Sequence, residues 1–275
     1  MFYKKYSLSE FSVGRLESDS DVSLSVYIPD NFEEIDLNRK RPMVILCPGG
    51  GYRFVSDREG EPVALRLMGK DIAAAVLKYS IVPSEIYPQT ALELSSAIEF
   101  VRNHADEWNI DTEKIVIMGF SAGGNLAGNV GVMAHTAEYA NLLNTNEDAI
   151  SPNAMVLAYP VITVKEEFAC TYCVKNLTDG GGCDSLSLEK LVNSKTVPSF
   201  LWHTKDDQTV NVNNSLLFAD ALKEHNIKHK LVLFEKGIHG LSLADEIVKR
   251  KGFDESINPD VAVWFDMAVD FIKEL

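Results

Sequence analysis

Apolar residues change their period repeatedly along the chain, and each change marks an element. Between Phe11 and Pro29 the run Val22-Ser-Leu24-Ser-Val26 alternates with period two, which predicts half-exposed antiparallel strands at the edge of a sheet. Pro42-Met-Val-Ile-Leu46 is nearly continuous in apolar residues, as in a strand covered on both faces, and it stops at Cys47-Pro48-Gly49-Gly50-Gly51-Tyr52. Helical spacing follows over Glu61 to Lys70, with Pro62 in the first turn and Val63, Leu67 and Met68 on one face. Asp71 to Tyr79 predicts a further buried strand, although its three alanines also tolerate a helix. Gln89 to Trp108 is the clearest helix, with Ala91, Leu94, Ile98 and Val101 in phase.

The second half repeats the alternation. Ile115-Val-Ile-Met118 is strand-like, runs into Gly119-Phe120-Ser121-Ala122-Gly123, and gives way to a helical pattern through Leu126, Val130 and Met133. Strands are expected at Asn153 to Ala158, Pro198 to Trp202 and Lys230 to Phe234, with a helix from Val212 to Glu224. A closing helix over Pro259 to Glu274 has Asn258 as its cap and Val261, Phe265, Ala268 and Ile272 on one face. Residues 162–195 lose periodicity and carry Thr178-Asp-Gly-Gly-Gly182, which predicts a loop-rich insertion capping a pocket. Strands alternating with helices predict an α/β fold, a mostly parallel sheet with helices on both faces. Right-handed crossovers then gather the strand carboxyl ends, where such sheets bind ligands, along one rim. A length of 275 residues with 46% hydrophobic residues suits one large domain, 1–275, better than two small ones.

Charge narrows the partners. Forty acidic against 26 basic residues give a formal charge of −14, so nucleic acid and anionic membranes would be repelled. The start MFYKKYSLSE lacks the apolar segment of a secretory signal, and no run of about 18 uninterrupted apolar residues points to a membrane span, so a cytoplasmic location is expected. Cys47, Cys170, Cys173 and Cys183 suit free thiols in a reducing compartment. Cys170-x-x-Cys173 with Cys183 supplies three of the four ligands a structural zinc site needs, and no fourth stands at a familiar spacing.

Gly119-Phe-Ser121-Ala-Gly123, between a strand and a helix, has the form of a nucleophile elbow, a sharp turn that holds a serine hydroxyl outward. By glycine and serine frequency alone the motif arises by accident in roughly one chain of this length in ten, so its weight depends on partners elsewhere. Serine needs a base, usually histidine, whose unperturbed pKa near 6.5 lets it take and return a proton. His104, His135, His225 and His229 fall in or beside helical segments; His203 and His239 follow strands. Elbow enzymes order their triads as nucleophile, acid, histidine, which favours His239, since His203 precedes the best acids. Those acids are Asp207, at the apex of the loop after Trp202-His203, and its neighbour Asp206 as runner-up; Asp179 and Asp184 in the insertion suit solvent. Gly49-Gly50-Gly51 follows a buried strand and can donate backbone N–H groups to an oxyanion, joined by the N–H of Ala122 after the nucleophile.

Together these stretches resemble the α/β-hydrolase superfamily over nearly the whole chain, and more narrowly its acetyl-xylan-esterase-like carbohydrate esterases. The resemblance is carried by Cys47-Pro-Gly-Gly-Gly-Tyr52, Arg58-Glu-Gly-Glu-Pro62, Gly119-Phe-Ser-Ala-Gly-Gly124, His203-Thr-Lys-Asp-Asp207 and Glu235-Lys-Gly-Ile-His-Gly-Leu-Ser242. It implies Ser121, Asp207 and His239 as the triad, Gly50, Gly51 and Ala122 at the oxyanion, an eight-stranded sheet whose second strand is antiparallel, and no cofactor or metal. Pro48 stands where hormone-sensitive-lipase-like esterases carry the histidine of His-Gly-Gly-Gly, which argues against that branch. Tyr52, Arg58 and Glu59 are candidates for the substrate pocket, against the alternative that an Arg or Glu at a helix start is solvated or capping. The expected activity is a serine esterase removing small acyl groups, above all acetyl, from sugars or xylo-oligosaccharides. A small-peptide hydrolase and a thioesterase use the same triad; a non-catalytic binding module would lack one of its members.

Overall fold

The computed structural model describes residues 1–16, 21–83, 86–165, 167–177 and 186–275. Cys183, Asp179, Asp184 and the Thr178–Gly182 run lie outside them. The sheet is built from β1 (Phe2–Ser7), β2 (Ser23–Ile28), β3 (Arg41–Cys47), β4 (Ala73–Lys78), β5 (Ile110–Phe120), β6 (Ala154–Ala158), β7 (Ser199–Thr204) and β8 (His229–Phe234). These eight strands pair in the order β1-β2-β4-β3-β5-β6-β7-β8, and β2 alone runs against the rest.

Strict alternation in the central strands explains their continuous apolar sequence. Met43, Ile45, Ile115 and Ile117 pack on one face with the helices Gln89–Asn103, Ala122–Val132 and Asn213–Glu224. Val44, Leu46, Val116, Met118 and Phe120 pack on the other with Glu61–Met68 and Trp264–Lys273. Both faces are covered, so neither set of positions can be polar. Register then aligns the strand ends. Cys47 stands opposite Gly119, Phe120 opposite Ala158, Ala158 opposite Trp202 and Thr204 opposite Phe234. The loops leaving β3, β5, β6, β7 and β8 therefore emerge side by side.

Several expected boundaries move. The outer edge strand is β1, which begins at Phe2, ahead of the Phe11–Pro29 stretch; only Tyr6 of its six residues is buried, which leaves little apolar signal. The three alanines of 73–75 form strand β4, buried between β2 and β3. The long helix ends at Asn103 rather than Trp108, because the chain turns at His104, stacks His104 on Trp108 at 4.6 Å and enters β5 through Asn109 at φ 54°. The closing helix is divided at Val263 into Pro259–Ala262 and Trp264–Lys273. Within the loop-rich insertion, Thr171–Leu177 forms a short helix. Among the described residues no helix is long and apolar enough to cross a membrane.

Candidate active site

Ser121 sits at the turn between β5 and the helix Ala122–Val132 with φ 53° and ψ −116°, a region that non-glycine residues enter only when their surroundings force them to. The forcing is steric. A Cβ added to Gly123 would lie 2.0 Å from the Cys47 carbonyl oxygen, and one on Gly119 would lie 2.2 Å from that of Gly123. Only bare backbone lets the helix start press against the end of β3. Ser121 N–H donates to the Ala158 carbonyl at 3.0 Å and its own carbonyl accepts from Val161 and Asn125, both at 3.1 Å, so the turn is held by backbone on both sides. Its side chain is left to point into the rim.

There Ser121 Oγ lies 2.8 Å from His239 Nε2, and His239 Nδ1 lies 2.7 Å from Asp207 Oδ2. With the ring proton on Nδ1, the serine hydroxyl donates to Nε2 and the imidazole donates to the carboxylate. The structure thus brings together the three residues selected from sequence order. Asp207 is anchored further: its Oδ1 accepts from the N–H groups of Thr209 at 2.8 Å and Val210 at 3.0 Å. Burial alone would raise its pKa, but hydrogen bonds from His203 and His239, the His239 charge and the Val210 N–H outweigh it and hold the carboxyl well below the usual range. Asp206, one residue earlier, turns away from the imidazole and accepts from Gly237 N–H at 2.7 Å.

His203 is fully buried and lies behind the acid: Nδ1 bonds Ser215 Oγ at 2.8 Å, Nε2 bonds the Val210 carbonyl at 3.0 Å, and Nε2 stands 3.4 Å from Asp207 Oδ2. Asp207 therefore lies between two imidazoles, and only that of His239 reaches Ser121.

The histidine loop is fixed by side chains from remote segments. Arg58 Nε donates to the Val248 carbonyl at 2.7 Å and its Nη1 to that of Gly240 at 2.9 Å, while Ser242 Oγ donates back to the Arg58 carbonyl. Thr204 Oγ1 donates to the Gly237 carbonyl at 2.8 Å. Tyr159, which the sequence did not single out, packs edge-on to the imidazole with centroids 5.0 Å apart. Its hydroxyl donates to Glu59 Oε1 at 2.7 Å and accepts from Ser242 N–H at 3.0 Å. A signal existed in its position directly after β6, on the same rim as Ser121.

The glycine loop occupies the other side of Ser121. Gly49 N–H donates to Glu59 Oε2 at 2.7 Å, so this donor is occupied, and the N–H groups available for an anion are those of Gly50 and Gly51. These two residues have φ 135° and 63°, and a Cβ at Gly50 would lie 1.9 Å from the Phe54 carbonyl oxygen. Across from them the N–H of Ala122 opens the helix and has no partner within it. Asn176 Nδ2 donates to the Gly51 carbonyl at 2.7 Å, tying the insertion to the loop.

The pocket candidates divide. Arg58 and Glu59 border an open cleft of about 680 Å³ that contains Ser121, His239, Gly50, Gly51 and Tyr172. The polar groups of both already brace the loops. Tyr52 is buried behind the loop, does not border this cleft and donates its hydroxyl to Asn125 at 2.8 Å, because its φ of 60° turns the side chain into the core. Cys47, Cys170 and Cys173 are buried free thiols, and the described residues hold no cluster of three or more His, Cys, Asp or Glu side chains suited to a metal.

A mostly parallel sheet in this strand order, with a serine at the elbow after β5 and an imidazole and a carboxylate on the neighbouring rim loops, defines an α/β-hydrolase. The model of the BD-FAE family matches residues 24–222, and the chain belongs to that family. Its sequence is 35% identical over 219 residues to endo-1,4-beta-xylanase B of Butyrivibrio fibrisolvens, covering 75% of this chain and 33% of that protein. Among solved structures, an acetyl ester-xyloside bifunctional hydrolase from Caldicellulosiruptor lactoaceticus is 34% identical with 94% of each chain covered and a TM-score of 0.79. A carboxylesterase from Lactobacillus plantarum WCFS1 is 27% identical with a TM-score of 0.87, covering 100% of this chain and 98% of the other. The chain spans from a third to just under half the length of the first curated relatives it matches.

Proposed function

We propose that the protein is a serine carboxylesterase that removes small acyl groups, acetyl foremost, from sugars or short xylo-oligosaccharides. The observation that carries this reading is the unbroken hydrogen-bonded line from Ser121 through His239 to Asp207, at 2.8 and 2.7 Å, beneath a cleft open to solvent. His239 takes the Ser121 proton as Oγ attacks the ester carbonyl, and Asp207 holds the imidazole tautomer and stabilises its charged form. The backbone N–H groups of Ala122 and Gly51, with Gly50 beside them, donate to the oxyanion. Collapse of the tetrahedral intermediate returns the proton to the leaving alcohol. Water activated by His239 then releases the acid and restores Ser121. The acetyl and xyloside parts of the proposal are supported by the activity named for the Caldicellulosiruptor lactoaceticus hydrolase and by the xylan-directed name of the Butyrivibrio fibrisolvens relative. The free thiols of Cys47, Cys170 and Cys173, the cysteines among the described residues, support a location in a reducing compartment such as the cytoplasm.

Treatment with a fluorophosphonate followed by peptide mapping tests the mechanism: a single adduct at Ser121 is expected, absent in Ser121→Ala. A folded protein that remains unlabelled at Ser121 would refute it. A panel of acetylated sugars assayed beside aryl esters of increasing acyl length tests the substrate.

A further inference from the structure

Two clefts meet at His239. One is the 680 Å³ cleft over Ser121; the other, of about 690 Å³, is lined by apolar Ile238, Phe253 and Ile257 together with polar Gln208, Lys236 and Asn258. His239 and Arg250 border both. Each is the size of a small-molecule site. An acetyl group has three heavy atoms and fills a small part of one cleft, so most of the ligand these spaces can hold belongs to the alcohol. The leaving oxygen must lie at His239 Nε2, which returns its proton. From that point an extended alcohol has space in both directions.

The second cleft is matched to a particular chemistry. Its charges balance, with Asp206 and Glu255 against Lys236 and Arg250, so it does not select an ionic group. Phe253 is 47% exposed, although an aromatic ring gains most when buried, and the Arg250 guanidinium lies 4.8 Å from its centroid. A pyranose ring has a C–H face that covers an aromatic surface and an edge of hydroxyls that bond amide and ammonium groups. Phe54 at 60% and Tyr172 at 44% exposure offer similar rings in the first cleft.

We infer that the second cleft is a carbohydrate subsite, with Phe253 as the platform for a sugar ring adjacent to the acetylated one. The protein accordingly prefers acetyl groups carried on oligosaccharides to those on monosaccharides. This rests on the sugar-ester reading given above.

The test measures kcat/KM on acetylated xylose, xylobiose and xylotriose for wild type, Phe253→Ala and Phe253→Trp, each normalised to the same preparation's value on p-nitrophenyl acetate. Wild type should gain roughly tenfold from xylose to xylotriose, as expected for one added aromatic contact. Phe253→Ala should remove most of that gain through KM, and Phe253→Trp should keep it. No length dependence in wild type overturns the inference without any variant; so does a gain that survives intact in a folded Phe253→Ala. Cleavage of aryl acetate with none of any acetylated sugar overturns the sugar-ester reading as well, whereas length-independent cleavage of the sugars overturns this inference alone.

Discussion

The two loops that bring Ser121 and His239 together are held by different means. The elbow is held by missing atoms: Gly119 and Gly123 let backbone approach backbone at distances that no Cβ tolerates, and hydrogen bonds to β6 and its exit loop complete the turn. The histidine loop is held by added atoms. Arg58, Asp206, Thr204, Tyr159 and, through its bond to the Lys236 carbonyl, Asn258 at the cap of the helix Pro259–Ala262 each contribute one side chain. The nucleophile is thus fixed by a local steric rule, and its base by a network drawn from four other parts of the chain. One error at the elbow should be structural, whereas one error in the network should be graded.

Four substitutions test that contrast. Asp207→Asn removes the charge that holds the imidazole and should lower kcat by about 10⁴, with the fold kept at neutral pH. It has a pH signature too. Because the folded-state pKa of Asp207 is depressed, the ionised carboxylate stabilises the fold fully above pH ~4, the unfolded value, and that contribution is lost progressively as pH falls from there through the lowered folded-state value. The Tm gap between wild type and Asp207→Asn should therefore be widest at pH 7 and narrower at pH 3, as calorimetry at the two pH values would register. Gly123→Ala places a Cβ 2.0 Å from the Cys47 carbonyl and 2.4 Å from that of Pro48. It should lower kcat by about 10³ and Tm by about 5–10 °C, because the elbow and the end of β3 must separate. Arg58→Ala frees the histidine loop and should cost 10- to 100-fold in kcat, the scale of a misplaced catalytic group, with a smaller loss of Tm. A Gly123→Ala enzyme with unchanged Tm and kcat, or an Arg58→Ala enzyme as damaged as Asp207→Asn, would erase the distinction. Asp206→Asn, whose side chain accepts from the Gly237 N–H, should stay within about fivefold of wild type by steady-state kinetics, as expected of one partly exposed hydrogen bond. If it costs more than Asp207→Asn, the acid is misassigned.

Much of this was legible in the residues. The unbroken apolar runs of β3 and β5 could exist only in strands covered on both faces, and Gly-x-Ser-x-Gly between strand and helix announced a turn that needs bare backbone. Triad order separated His239 from His203 without coordinates. Where an element lacks contrast the sequence is silent: β1 buries one side chain, and the break at His104 depends on a ring stacking on Trp108. The substrate-side residues were the least legible. Tyr52 follows three glycines into the site's vicinity, yet its backbone turns the phenol inward to Asn125, while Tyr159, with no motif around it, reaches the imidazole.

By itself, then, the sequence determined the alternation of strands and helices, the elbow and the choice of Ser121, Asp207 and His239, which the fold brings into one hydrogen-bonded line, because each follows from local periodicity, from steric room at glycine or from the order of residue types along the chain. The tertiary structure alone decided that Glu59 is a brace shared by Gly49 and Tyr159, that Arg58 clamps the histidine loop, that Asp207 lies between two imidazoles and that a second cleft meets the first at His239. Apart from the pairs Gly49–Glu59 and His203–Asp207, which are near in the chain, these contacts join residues 32 to 182 positions apart, and strand register rather than sequence spacing sets the distance between them.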